Sequence, residues 1–246
     1  PAPSALPAAP ASACTQPAAA LIRQRRSAQA FDAITTISAA DLYRMLDLTL
    51  PRANVAPWDA IAWPPRLHLL LFVHRVSGLA PGLYLFLRHA DAAEEMHKAL
   101  SADFEWLPVA GAPAHLHLFR LVGADVRSTA RALSCHQEIA ADGAFSLGML
   151  AEYERNLAAA PWRYRQLYWE AGMLGQLLYL EAEAAGVRGT GIGCFFDDAV
   201  HELLGLRGTA WQSLYHFTIG GARVDTRLQT LPAYGHLHAD RPPSGG

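Results

Sequence analysis

Trp162-Arg163-Tyr164-Arg165-Gln166-Leu167-Tyr168-Trp169-Glu170-Ala171-Gly172-Met173-Leu174-Gly175-Gln176-Leu177-Leu178-Tyr179-Leu180-Glu181-Ala182-Glu183-Ala184-Ala185-Gly186 is the stretch on which the fold turns. Leu167, Ala171, Leu174, Leu178, Ala182 and Ala185 recur every three or four residues, so Trp162–Ala185 is predicted to be one long helix with an apolar stripe. Gly186 is placed to end it at the C′ position. Gly172 and Gly175 inside it predict close approach of a neighbouring element. A helix of this length, striped along one side, is expected to be central and buried.

Working outward, the segment from Gly186 to Cys194 reads as the helix end, a strand and a turn at Gly193-Cys194. Asp197–Leu206 reads as a helix with acidic residues favouring the dipole at its start. Leu214–Ile219 is the last strand. Upstream, Leu67–Arg75 is an unbroken apolar run, the pattern of a buried strand. Ser77-Gly78-Leu79-Ala80-Pro81-Gly82 is a turn into a second strand, Leu83–Leu87. Leu116–Val122 is a third. Ala18–Arg25 and Asp91–Leu100 read as helices, as does Asp125–Ala141. Ala144–Tyr153 is a strand or a helix, which periodicity alone does not separate. Ser38-Ala39-Ala40-Asp41 is a helix start with a capping residue and an acidic residue three positions on. Mixed elements without regular βαβ repeats give an α+β class.

The chain has 246 residues, 52% of them apolar and 17% charged, enough for a large buried core. A formal net charge of −2 gives no electrostatic case for nucleic acid or for an anionic membrane. No apolar run reaches the length of a membrane span. Cys14, Cys135 and Cys194 are odd in number and widely spaced. They predict neither a disulfide framework nor a zinc site, and a reducing, cytoplasmic setting is expected. Residues 1–17 are rich in Ala and Pro without a basic region, which reads as a disordered linker rather than a signal peptide. Residues 18–234 are expected to form one domain and 235–246 a flexible tail.

Three segments bear on chemistry. Arg25-Arg26-Ser27-Ala28-Gln29-Ala30-Phe31-Asp32 places two guanidinium groups and a hydroxyl at a helix end. Such groups suit phosphate oxygens, although arginines in a last helical turn are also ordinary surface residues. Arg188-Gly189-Thr190-Gly191-Ile192-Gly193-Cys194-Phe195 is glycine-rich but fits neither the dinucleotide nor the P-loop fingerprint. Gly220-Gly221-Ala222-Arg223-Val224-Asp225-Thr226-Arg227-Leu228 brings further arginines after the last strand. The pairs His115/His117 and His236/His238 lack the accompanying carboxylates or thiols of a metal site, so no metal is predicted.

The order of these segments resembles the flavin-binding nitroreductase superfamily over roughly Ala18 to Tyr234. Gly78-Leu79-Ala80-Pro81-Gly82-Leu83-Tyr84 and Glu170-Ala171-Gly172 resemble the branch of thiazole- and oxazole-forming peptide dehydrogenases. The resemblance implies a central, mostly antiparallel sheet flanked by helices, with the long helix at a dimer interface. It implies FMN as cofactor, with Arg25, Arg26, Ser27 and Arg227 at its phosphate and Arg223 in reserve. Gln29 would face the pyrimidine edge, where a basic residue is usual. Gly191, Ile192, Gly193 and Cys194 would supply backbone near flavin N5. Cys194 is expected to serve through its backbone, its thiol being a small packing group.

The Ser-x-x-Asn-x-Gln-Pro-Trp segment of simple nitroreductases is absent, and Ala56-Pro57-Trp58 stands in that region. The polar pair that often follows Glu-Ala-Gly is replaced by Met173, with Leu177 following Gln176. The resemblance implies a small-molecule or peptide substrate, an NAD(P)H donor, and a homodimer or the partner domain of a tandem protein. A member that has lost stable flavin and serves for dimerisation or peptide binding is the alternative, and one that binds another planar cofactor is a third.

Overall fold

The computed structural model describes residues 6–12, 14–235 and 237. Its centre is a seven-stranded sheet built from β2 (Leu67–Val73), β4 (Gly82–Leu87), β5 (Leu107–Pro108), β6 (His117–Gly123), β7 (Phe145–Glu152), β8 (Arg188–Ile192) and β9 (Trp211–Gly220). The strand order is β5-β6-β4-β2-β7-β9-β8, and every pairing is antiparallel. A two-stranded parallel ribbon joins β1 (Ile37–Ser38) to β3 (Val76–Ser77).

Both faces of the sheet are covered, which explains why β2 is apolar throughout instead of alternating. Leu67, Leu69, Leu71 and Val73 pack with Leu42, Met45 and Leu46 of α2 (Ala39–Leu48) and with α7 (Tyr164–Ala184). Leu70 and Phe72 point to the opposite face. There they join Met96 of α3 (Ala93–Ala99), Ala130 and Leu133 of α4 (Arg127–Leu133), Ile139 of α5 (Ile139–Asp142), and Val200 and Leu204 of α8 (Asp197–Leu204). Two short helices remain, α1 (Ala18–Gln24) before the first ribbon strand and α6 (Glu154–Ala159) after β7.

Local chemistry sets the ends of the elements. Ser38 Oγ accepts the Asp41 N–H and the Asp41 carboxylate accepts the Ser38 N–H, a capping box that starts α2. Gly186 takes φ +74 just beyond α7; its N–H donates to Glu183 and that of Val187 to Ala182, the paired bonds that close a helix end. Within α7 the stripe is buried from Leu167 to Ala182, but Ala185 lies outside the helix and is exposed. Gly175 meets the Tyr215 ring, where an added Cβ would lie 3.2 Å from Cε1, whereas at Gly172 it would meet nothing. Of the two glycines, only Gly175 serves close packing within this chain.

Glu170 is the charged residue of the stripe, and it is buried. It accepts the Arg66 N–H at 3.2 Å and pairs with the guanidinium of Arg88, whose Nε donates to the Thr49 carbonyl. This network ties α7 to the start of β2 and the end of β4.

One expectation is corrected and one open alternative is resolved. Asp125–Ala141 is not one helix. It divides into α4 and α5 because Cys135 and His136 both take left-handed backbone, φ 52 and 59, which a helix does not accommodate. The segment 144–153 is a strand, β7, paired on both sides by β2 and β9. The Ala/Pro-rich start runs past α2, where the Pro7 carbonyl accepts Arg52 Nε at 3.0 Å and the Pro10 carbonyl accepts Arg44. His236 and His238 lie outside the described residues, as do residues 239–246.

Candidate functional site

The candidate site gathers along the outer edge of β8, whose one strand neighbour among the described residues is β9. The chain after α1 runs along that edge: the Ala28 N–H donates to the Gly189 carbonyl and Thr190 Oγ1 to that of Ala28. The C-terminal segment then joins it, through a bridge between Phe31 and Ala222 and the bonds from Asp32 N–H to Gly221 and from Arg223 N–H to Ala30. Segments almost two hundred residues apart in sequence are thereby brought together.

Arg25, Ser27 and Gly191 converge on Tyr179 of α7. The Arg25 guanidinium lies over the Tyr179 ring, 4.6 Å from its centre. Ser27 Oγ and Tyr179 Oη are 2.8 Å apart, and Gly191 N–H donates to the same Oη at 2.8 Å. Arg26 is a clasp: its guanidinium donates to the carbonyls of Arg23, Arg25 and Leu231, and its N–H to Glu183. Gln29 lies on the other side of this segment, where it lines a cavity of about 490 Å³ with Ala30, Arg223, Val224, Asp225, Thr226 and Arg227. Arg227 is held by Asp225 through Nε at 2.9 Å and Nη2 at 2.7 Å. Those bonds keep the Asp225 carboxyl below the usual carboxylate range. Arg223 is exposed and has no ion-pair partner among the described residues.

The glycines of β8 have steric causes. An added Cβ at Gly191 would lie 1.7 Å from Tyr215 Oη, and one at Gly189 2.7 Å from the Phe217 ring. They clear space for aromatic side chains of β9. Ile192 is buried among the side chains on the α3–α8 face, so only its backbone is available to the edge. Gly193 is different. It is exposed, with nothing within 4 Å of an added Cβ, and among the described residues neither its N–H nor that of Cys194 has a protein acceptor.

Cys194 overturns an expectation. It forms a disulfide with Cys135, with Cα atoms 5.9 Å apart and a sequence separation of 59. It is not a free packing residue, and the cysteine count no longer argues for a reducing compartment. Cys14 is the free cysteine. The break between α4 and α5 is what carries Cys135 to this place.

The arrangement can hold an anion. Arg223 and Arg227 supply guanidinium forks for a phosphate, and Gln29 and Thr226 supply neutral polar groups in the same cavity, while Arg25 stands over the Tyr179 ring. Two free N–H donors stand at the end of the same strand. In kind, these groups suit a phosphate and an electron-accepting ring such as those of FMN, although Ser27 and Gly191 already share Tyr179.

A second cluster lies at the opposite end of β2. His68 Nε2, His89 Nε2 and the Glu152 carboxylate are close enough to surround a cation. The hydrogen bonds argue otherwise. His68 Nδ1 accepts the Arg88 N–H at 3.2 Å, so the proton of this imidazole is on Nε2, aimed at Glu152. Metal-bound histidine shows the opposite arrangement, with its second nitrogen donating. Burial would raise the Glu152 carboxyl, but donors from His68, His89 and Arg155 outweigh it and hold the group well below its ordinary range. His115 is likewise engaged, by the carboxylate of Asp47.

The roles of Tyr179 and Cys135, and the prominence of Arg223 over Arg227, are not evident from the sequence. Tyr179 follows Gly175 by one turn of α7, and nothing in its residue type separates it from a packing aromatic.

A family model described as the nitroreductase family matches residues 22–221, and the chain belongs to that family. At that level it is a member of a family of flavin-dependent oxidoreductases. Among solved structures, a protein of Anabaena variabilis assigned as a nitroreductase is 24% identical with a TM-score of 0.64, over 84% of this chain and 38% of its own. This chain thus spans well under half of that protein. A counterpart from Ralstonia eutropha is 17% identical with a TM-score of 0.58, over 90% of this chain and 94% of its own. A chain of the E. coli microcin synthetase McbBCD complex is 16% identical with a TM-score of 0.56, over 90% and 78%. At these identities the likeness is one of fold. No curated protein matches the sequence. No helix among the described residues is long and apolar enough to cross a membrane.

Proposed function

We propose that this nitroreductase-family chain is an FMN-dependent oxidoreductase that passes hydride or electrons through flavin N5 to an organic acceptor. The observation that supports the reading is the cavity lined by Gln29, Arg223 and Arg227 at the edge of β8, with Arg25 over Tyr179 on the other side of the same segment and, among the described residues, unpartnered N–H groups of Gly193 and Cys194 just beyond that strand. When bound, the flavin supplies a reversible two-electron carrier. Arg25 and Arg223 would hold its phosphate, with Arg227, now held by Asp225, as a further guanidinium. Gln29 donates to the ring without adding a charge. The N–H groups of Gly193 and Cys194 would offer hydrogen-bond donors to the ring. NAD(P)H is the donor in this reading.

The acceptor is a small molecule or a peptide. The peptide alternative is supported by the structural likeness to the McbBCD complex, which was determined with truncated pro-MccB17 bound. The working unit is a homodimer or a pair of such domains in one protein; the 38% coverage of the Anabaena protein leaves room for the latter. Expression with ample riboflavin, followed by denaturing release and identification of the chromophore, tests the reading. One FMN per chain is expected.

A second reading rests on Tyr179. Its hydroxyl already satisfies Ser27 and the Gly191 N–H, as it would in a fold that had given up flavin and kept its architecture for dimerisation or peptide binding. A colourless protein that takes up no FMN in equilibrium dialysis favours that reading.

A further inference from the structure

The Cys135–Cys194 bond stands at the rim of the candidate site, with Cys194 exposed and Cys135 half-buried. We propose that this disulfide is a thiol-exchange site, reduced and re-formed by external dithiols and disulfides through the sulfur of Cys194. The inference does not depend on flavin.

Exposure is the first argument. Disulfides that serve only stability are characteristically shielded, and accessible or constrained ones are the labile kind. Here the outer residue is open to solvent. The inner one lies on a loop whose two consecutive residues, Cys135 and His136, hold left-handed backbone that side-chain-bearing residues adopt only under constraint.

The second argument is that the two loops are joined by more than sulfur. Gln137 Nε2 donates to the Cys194 carbonyl at 3.1 Å, and the Phe196 N–H donates to the Leu133 carbonyl at 2.8 Å. The His136 and Phe196 rings meet edge to face, 5.9 Å apart. When the S–S bond opens, these contacts keep the two thiols facing one another. A pair held in this way can be reduced and re-oxidised without unfolding.

The chemistry balances without a cofactor. One thiolate of an external dithiol attacks Sγ of Cys194, the S–S bond breaks, and Cys135 leaves as a thiolate that takes a proton. The second thiolate of the same reagent attacks its own sulfur in the mixed disulfide and releases Cys194, which is protonated in turn. The external dithiol becomes a disulfide and the protein gains two thiols: two electrons and two protons have moved.

The test uses the full chain with Cys14→Ser as background, so that every titrated thiol belongs to the pair. After treatment with oxidised glutathione, no thiol should react with a colorimetric thiol reagent. Dithiothreitol in native buffer should release both, and oxidised glutathione should remove them again. With Cys135→Ser added, mass spectrometry should find glutathione on Cys194. With Cys194→Ser added instead, capture by Cys135 should be slower by about tenfold or more, as its lesser access requires. A bond that yields to dithiothreitol only in guanidinium overturns the proposal. So do two thiols that persist after oxidised glutathione, or equal capture rates for the two single-cysteine variants. The native-buffer thiol count decides the matter even if a serine variant fails to fold. None of these outcomes bears on whether FMN binds.

Discussion

The hydroxyl of Tyr179 lies 2.8 Å from that of Ser27 and accepts the Gly191 N–H at the same distance. One phenol oxygen on α7 thus satisfies two groups of the β8 edge that could otherwise meet a ligand. Tyr179→Phe removes that oxygen and little else. Loss of a net hydrogen bond should lower stability by about 1 kcal/mol in urea unfolding. FMN affinity should hold or tighten, since Ser27 and Gly191 become free. A tenfold weakening would instead make the Tyr179 hydroxyl part of the cofactor site.

Arg223 is exposed beside Gln29 and has no ion-pair partner among the described residues, whereas Arg227 is held by Asp225. Arg25→Ala and Arg223→Ala should each weaken FMN binding by about tenfold or more, as expected for a charge-assisted bond worth about 1.5–3 kcal/mol. Asp225→Asn loosens Arg227 and should tighten binding. Titration by flavin fluorescence reads all three. Unchanged affinity in the Arg25→Ala and Arg223→Ala variants would make these arginines ordinary surface residues.

Much of this architecture is legible in the sequence because period and polarity agree. The stripe from Leu167 to Ala182 predicts α7, and the unbroken run at Leu67 predicts a strand buried on both faces. The break at Cys135 and His136 is not legible, since left-handed backbone there is imposed by tertiary contacts on residues that do not advertise it. Three cysteines and a separation of 59 residues likewise conceal a disulfide. At the site, Arg25 and Ser27 could be read from the pattern Arg-Arg-Ser. The glycines Gly189 and Gly191 invite a ligand-based reading, yet the rings of Phe217 and Tyr215 occupy the space they leave.

The buried pair of Arg88 and Glu170 should be far more sensitive to the loss of one partner than of both. Arg88→Met leaves the Glu170 carboxylate with only the Arg66 N–H and should cost about 3–5 kcal/mol. Arg88→Met with Glu170→Gln should recover a large part of that. Chemical denaturation of the two variants checks the difference. Equal losses would mean that the pair acts by packing rather than charge.

Acid should destabilise the fold earlier than its carboxylates alone dictate. Burial pushes His68, His74 and His216 down to about 4 in the folded chain, from an ordinary value of 6.5. A base with a depressed folded pKa binds its proton in the unfolded chain first. Its neutral form therefore contributes fully above pH 6.5, and the contribution is lost as pH falls from 6.5 towards 4. Each histidine accounts for about 3 kcal/mol at most. Urea midpoints measured between about pH 7 and pH 4 should fall steadily, and His216→Asn should flatten the slope. A flat profile across that window would mean that these imidazoles ionise without unfolding.

The outer face of α7 bears on assembly. Tyr168 and Trp169 of α7, and Trp162 in the turn just before it, are exposed by 42, 55 and 56%. Farther along, Met173, Leu177 and Leu180 line an apolar cavity of about 470 Å³ with Leu48, Val55 and Trp58. Gly172, between these groups, has open space where a Cβ would stand. An apolar face this extended on a helix whose other side is core is expected to be covered. A two-fold contact through α7 should exceed the standard interface of about 1,600 Å² and give a dimer at micromolar concentration by light scattering. Trp169→Glu with Met173→Glu places two charges on each side of that contact, so the variant should run as a monomer while its far-ultraviolet circular dichroism is unchanged. A wild-type monomer would remove the dimer from the proposed working unit. A dimer that survives both substitutions would place the contact on another face.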